Sequence, residues 1–199
     1  MQNSSAVFQE NATFFWQSVR VFTQCLWKSF LQKNMQVIDA TCGRGKDTLF
    51  LAKKVPLGRV YAYDIQEKAI SETKERITRE GLEKRVSFFQ KSHTHFLQTA
   101  DLVVYNLGYL PGSDKRICTR GKDVLISVQE AMKFAKALSI TCYPGHEEGA
   151  EEERLIGRYC QTLSPKEWTV SHHTWPNRTL CPSLFWITKT PGLDRVRPS

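Results

Sequence analysis

The sequence lacks an uninterrupted apolar run long enough to cross a bilayer. Its longest apolar stretch, Phe14 to Leu31, is broken by Gln17, Arg20, Gln24 and Lys28, whereas a spanning helix needs about 20 consecutive apolar residues. Membrane partners are therefore not expected. Paired cysteines are missing too. Cys25, Cys42, Cys118, Cys142, Cys160 and Cys181 stand apart, without the CxxC or Cys/His spacing of a zinc site or a disulfide framework, so no metal is expected and reduced thiols in a cytoplasmic protein are. Repeats, low-complexity tracts and linkers are also absent. A chain of 199 residues is short for two domains of ordinary size, and residues 1–199 are expected to form one. Acidic residues are the scarcer charge, 20 against 28 basic ones, for a net charge of +8; this suits a polyanionic partner such as nucleic acid. With 41% hydrophobic and 24% charged residues, the composition excludes disordered and fibrous classes.

What is present is an alternation of short β-rich runs with helical segments. Phe15, Val19, Phe22, Leu26 and Phe30 form a stripe at helical spacing, predicting an N-terminal helix over about 13–32 that packs on the domain's core or covers a substrate or membrane surface. The catalytic core is expected over about 35–190. Strands are predicted at Val37–Ala40, Arg59–Asp64, Val86–Gln90, Asp101–Asn106, Ser139–Tyr143, Trp168–His173 and Leu184–Lys189. Helices are predicted at Asp47–Lys54, Glu67–Gly81, Val124–Leu138 and Gly149–Leu163. Such alternation implies an α/β fold with a mostly parallel, doubly wound sheet. The last two strands leave no room for a helix between them and should form an antiparallel hairpin, with an exposed loop from Pro176 to Pro182. A seven-stranded sheet ending this way distinguishes the class I methyltransferase Rossmann-like fold from a nicotinamide-binding domain.

The sharpest local feature is Val37-Ile-Asp-Ala-Thr-Cys-Gly-Arg-Gly-Lys-Asp-Thr48, where an apolar strand runs into a Gly-x-Gly turn and then a helix. Gly43 and Gly45 let the backbone turn tightly and approach a ligand. A dinucleotide fingerprint would place a third glycine where Thr48 stands, which weakens an oxidoreductase reading. Asp39 and Asp47 are carboxylates suited to the amino-acid end of S-adenosylmethionine (SAM), or, for Asp39, to holding the turn. Asp64, ending the second strand, is placed to accept both hydroxyls of a ribose. Ser92 and His93, after the third strand, are candidates to contact an adenine; with His95 they make a poor metal site.

After the fourth strand stands Tyr105-Asn-Leu-Gly-Tyr-Leu-Pro-Gly-Ser-Asp-Lys115, whose start resembles the Asn-Pro-Pro-Tyr motif of amino-directed methyltransferases. Loops beyond the carboxyl ends of strands in open α/β sheets hold substrate. In that motif the Asn accepts hydrogen bonds from the target amine and the aromatic ring stacks on the base, so Asn106 would orient and Tyr109 would stack. His146, in the turn Tyr143-Pro-Gly-His-Glu-Glu-Gly149, could take a proton from the amine, cap the next helix or contact RNA phosphate. Ile140-Thr-Cys-Tyr143 also resembles the Thr-Cys motif of RNA cytosine-5 methyltransferases, an alternative in which Cys142 would be a nucleophile.

Taken in order, Asp-Ala-Thr-x-Gly-x-Gly-x-Asp-Thr-Leu-Phe-Leu-Ala, Asp-Ile-Gln, Ser-His, Asn-Leu-Gly-Tyr-Leu-Pro-Gly-x-Asp-Lys and Gly-His-x-x-Gly, spanning Val37 to Lys189, resemble the MnmM-type family of SAM-dependent tRNA methyltransferases. The resemblance implies methylation of the 5-aminomethyl group on the wobble uridine of tRNA, giving 5-methylaminomethyl. It places SAM at Gly43, Gly45, Asp47, Asp64, Gln66, Ser92 and His93, and substrate near Asn106, Tyr109 and His146. Arg44, Lys46 and the loop Asn177-Arg-Thr-Leu-Cys-Pro182 depart from the family pattern. Monomer and homodimer both stay open.

Overall fold

A computed structural model describes residues 19–107 and 121–190. Tyr109 and Cys118 lie outside the described residues, as do the predicted first turns of the N-terminal helix.

The chain runs α1 (Val19–Phe30), β1 (Gln36–Asp39), α2 (Lys46–Lys54), β2 (Arg59–Asp64), α3 (Glu67–Arg79), a 3-10 turn (Glu83–Arg85), β3 (Val86–Gln90), β4 (Leu102–Asn106), α4 (Gly121–Met132), β5 (Ala137–Cys142), α5 (Glu147–Gln161), β6 (Trp168–His173) and β7 (Ser183–Lys189). The strands form one seven-stranded sheet in the order β3-β2-β1-β4-β5-β7-β6. The first five pair in parallel; β7 runs antiparallel to both β5 and β6. This is the mostly parallel sheet with a terminal hairpin that the sequence predicts.

Strand periodicity sorts the core onto two faces. Ile38, Val103, Leu138 and Ile187 point to one side and pack with Val124 and Val128 of α4 and Ile156 of α5. Their neighbours Val37, Leu102, Val104 and Ala137 point to the other, among Trp27 of α1, Leu51 of α2, and Ile70 and Ile77 of α3. Because the central strands are buried on both faces, they read as continuous apolar runs rather than alternating ones.

The boundaries of the strands and of α2 to α5 lie within three residues of expectation, except at the end of α4. The helix predicted to run to Leu138 stops at Met132, and β5 starts at Ala137. Ala131-Met-Lys-Phe-Ala-Lys-Ala-Leu138 contains mostly good helix formers, yet the amides of Lys136 and Ala137 donate to the Asp101 carbonyl at 2.9 and 3.1 Å. That tertiary contact pulls the segment into the sheet against its propensity. In α1 the buried residues are Thr23 and Trp27, while the described members of the predicted stripe, Val19, Phe22, Leu26 and Phe30, are half-buried: Phe22 meets His173 and Trp175, and Phe30 meets Trp186. The helix therefore packs partly on the hairpin. Among the described residues, no helix is long and apolar enough to cross a membrane.

Candidate functional site

Strand order reverses between β1 and β4, and the crevice beyond their carboxyl ends is where open α/β sheets take ligands. A narrow cleft lies there, lined by Arg20, Thr23 and Trp27 of α1, by Asp39 and Asp47, and by Asn106, Thr141 and Tyr143.

Asp39 ends β1 and is 2% exposed. Thr48 Oγ1 donates to its Oδ2 at 2.6 Å and the Thr41 amide reaches Oδ1 at 3.4 Å. Burial outweighs these bonds and pushes its pKa up to about 7. Asp47, in the first turn of α2, uses both oxygens: Arg20 Nε donates to Oδ1 at 3.3 Å and Asn106 Nδ2 to Oδ2 at 3.2 Å. The Asn106 backbone N–H donates in turn to the Thr41 hydroxyl at 2.7 Å. Three predicted residues, Asp39, Asp47 and Asn106, thus meet in one cleft.

The glycine turn lies beside it. Gly43 and Gly45 have φ of 51° and 71°, the left-handed region that side-chain-bearing residues avoid. A Cβ on Gly45 would lie 2.8–2.9 Å from Cγ2, Cα and Oγ1 of Thr73, so α3 can pack this close only against glycine. Asp64 accepts from the Gly43 amide at 3.1 Å and from the Gln66 amide at 3.0 Å, tying the turn to the start of α3. Burial raises the Asp64 pKa, opposed by these amide bonds. Arg44 and Lys46, the two departures in the turn, are exposed.

Ser92 and His93 diverge. Ser92 is exposed and bonded to Thr94. His93 is buried edge-on to Tyr105, its ring nitrogens without hydrogen-bond partners among the described residues; burial lowers its pKa to about 4, so the ring is neutral. His146 adopts the capping geometry, with Nδ1 accepting from the Gly149 amide at 3.0 Å at the start of α5. That bond places the ring proton of the neutral histidine on Nε2, so taking a proton at Nδ1 would require giving up the cap. Gly149 is dictated by this turn, since a Cβ there would stand 2.1 Å from the Tyr143 carbonyl oxygen and 2.8 Å from the His146 ring. Cys142 is fully buried, and burial together with Glu153 and Glu152 raises its thiol pKa well above the ordinary value. Such a thiol is the opposite of an activated nucleophile.

Sequence reasoning missed four residues. Thr41 sits within the Asp-Ala-Thr motif and positions both Asp39 and Asn106. Tyr143 directly follows β5, where the carboxyl-end rule could have found it; burial, and next the charge of Asp47, raises its pKa and keeps it a phenol. Ile65, 42% exposed, offers an apolar surface beside Asp64. Arg20 had no local signal, because its role depends on how α1 docks.

A family model described as "Putative rRNA methylase" matches residues 60–189, over half of the chain. The tRNA (mnm(5)s(2)U34)-methyltransferase, chloroplastic, of Arabidopsis thaliana is 32% identical in an alignment of 182 residues that covers 82% of this chain; the chain spans 66% of that relative's length. A crystal structure with the same description as the family, from Clostridium thermocellum, superposes with a TM-score of 0.81 at 31% identity, covering 85% of this chain and 96% of that one. The Streptococcus mutans protein SMU.1697c, solved in complex with SAH, gives 0.76 at 25% identity, with 85% and 96% covered. The fold is the Rossmann-like fold of methyltransferases. The chain belongs to the MnmM-type rRNA methylase family.

Proposed function

We propose that this chain is a SAM-dependent methyltransferase acting on tRNA, and that it N-methylates the 5-aminomethyl group of the wobble uridine to give 5-methylaminomethyl. The observation that carries the reading is Asn106, held at the carboxyl end of β4 with its Nδ2 committed to Asp47. A carboxylate only accepts hydrogen bonds, so this contact fixes the polarity of the amide and leaves Oδ1 as an acceptor for an incoming amine.

The residues present fit SAM. Its methionine end carries an ammonium and a carboxylate; Asp39 and Asp47, which line the cleft, offer acceptors to the first. The Asp64 oxygens each retain a lone pair beyond the amide bonds they already accept, which suits ribose hydroxyls. Gly43 and Gly45 keep the adjacent backbone bare of side chains, and exposed Ile65 and Ser92, beyond the ends of β2 and β3, are the candidates to meet an adenine, whereas His93 is buried against Tyr105. When bound, SAM supplies a methyl group on a reactive sulfonium. The chain's task is then positioning: Asn106 orients the amine, Tyr109 stacks on the base, and His146 shapes the turn beside them. Correct placement of two reactants can supply about 7–11 kcal/mol of a barrier.

The Arabidopsis relative's name, the +8 charge and the Asn-Leu-Gly-Tyr motif support a tRNA amine as substrate. The buried Cys142 thiol speaks against the cysteine-dependent carbon methylation that its sequence context suggests. The test is incubation of the purified protein with SAM and tRNA bearing 5-aminomethyl at the wobble position, followed by mass spectrometry of the nucleosides. One added methyl on that nucleoside is expected; methylation of another base, or of none, would refute the substrate assignment.

A further inference from the structure

Arg20 belongs to no motif, yet the fold brings it to the cleft. It lies on α1 with a side chain 46% exposed, and its Nε donates to Asp47 at 3.3 Å. Thr23 and Trp27 follow at i+3 and i+7, which places all three on one face of the helix, and all three line the cleft. The Trp27 indole N–H is buried and has no acceptor among the described residues. Of these side chains Arg20 meets a carboxylate, that of Asp47, while the Thr23 hydroxyl donates within α1 to the Val19 carbonyl. An isolated buried carboxylate pair would recognise a simple cation. A guanidinium set against Asp47 instead complements a ligand end carrying both an ammonium and a carboxylate.

We propose that Arg20 is the residue that binds the α-carboxylate of SAM, with Asp47 taking the α-ammonium, so that α1 forms one wall of the cofactor subsite. This rests on the reading of SAM as cofactor. The Arg20–Asp47 pair is partly exposed and such pairs contribute little, so exchanging it for two ligand contacts sacrifices little. A guanidinium-to-carboxylate hydrogen bond is among the stronger polar contacts. Losing it should reduce affinity roughly tenfold to hundredfold.

The experiment is a thermodynamic cycle by calorimetry, using SAM and decarboxylated SAM, which keeps the ammonium and lacks only the carboxylate, on the wild-type protein and on Arg20→Gln. Thermal melts check that the variant is folded. Removing the carboxylate from the ligand and removing the guanidinium from the protein should each weaken binding by a similar factor, and doing both should cost no more than doing one. Arg20→Lys should recover part of the loss, since an ammonium retains the charge without the fork. Equal losses for both ligands in Arg20→Gln would mean a displaced helix and overturn the proposal. Unchanged SAM affinity, including with a loss confined to tRNA binding, would overturn it too. Failure of the wild-type protein to bind either ligand would instead refute SAM as the cofactor.

Discussion

Asp39 links stability to ligand binding in a way that can be measured. Its carboxyl is 2% exposed and holds its proton to about pH 7, chiefly because burial penalises the charge. In the unfolded chain the same group titrates near its ordinary 3.8. Between these values the folded state binds more protons than the unfolded one, so the free energy of unfolding falls as pH rises through the interval. Each pH unit corresponds to about 1.4 kcal/mol, and the interval to an order of 4 kcal/mol. Asp39→Asn keeps an acceptor for Thr48 and removes the charge. It should leave stability nearly unchanged at about pH 3, below the unfolded-state value, and raise it progressively up to about pH 8, by about 2–4 °C in melting temperature for each kcal/mol recovered. A cationic ligand end beside Asp39 should draw the proton off, so SAM binding at pH 6 should release protons from the wild type and fewer from Asp39→Asn. Melting curves across pH and calorimetry in buffers of different ionisation enthalpy measure the two effects. A variant no more stable than the wild type at pH 8, or equal proton release from both proteins, would refute the reasoning.

Two further outcomes are expected. Asn106→Ala should keep SAM affinity close to wild type while slowing single-turnover methyl transfer by about 100-fold, the scale of loss for a misplaced reactant, whereas Cys142→Ala should leave the rate near wild type; the reverse pattern in rapid-quench assays would favour a covalent carbon mechanism. Gly45→Ala should destabilise the fold by about 1–3 kcal/mol in denaturant unfolding, through its left-handed φ. Adding Thr73→Ala should restore only part of that, because the Thr73 Cα also stands 2.9 Å from the new methyl group.

Much of the fold was legible because strand periodicity and turn chemistry act locally. Val37–Asp39 and the Gly43 and Gly45 turn are written within a few residues of one another, the carboxylate closing β2 is written into its own short strand, and the structure places these elements as read. The end of α4 was illegible for the opposite reason: its stop is made by the carbonyl of Asp101, more distant in sequence than any propensity window. The site divides the same way. Asp39, Asp47 and Asn106 stand at strand ends or a helix start, positions that sequence predicts, and they meet. Arg20 and Tyr143 join them only once α1 docks and β5 is seated beside β4. His146 shows a third case, since its place in the turn allowed a base, a cap or a phosphate contact, and the cap emerges only from the folded geometry.

Asp47 connects the cofactor side of the cleft to the substrate side, and its replacement separates binding from chemistry. One oxygen takes Arg20 and the other takes Asn106. As long as position 47 is a carboxylate it can only accept, so the Asn106 amide must present Nδ2 to it and Oδ1 away from it. Asp47→Asn removes that constraint, because an amide at 47 can donate as readily as accept and the Asn106 side chain can turn over. SAM affinity should fall, since an ammonium contact loses its charge. At saturating SAM the transfer rate should still fall several-fold or more, reflecting the fraction of molecules whose Asn106 presents NH₂ groups to the amine. A KM effect alone, with full single-turnover rate restored by excess SAM, would show that Asp47 serves the cofactor only and that the Asn106 amide is held by something else. If instead the rate loss persists at saturation and Asn106→Ala adds little to it, the two residues act as one unit, with the carboxylate as the positioning residue and the amide as the group that meets the substrate.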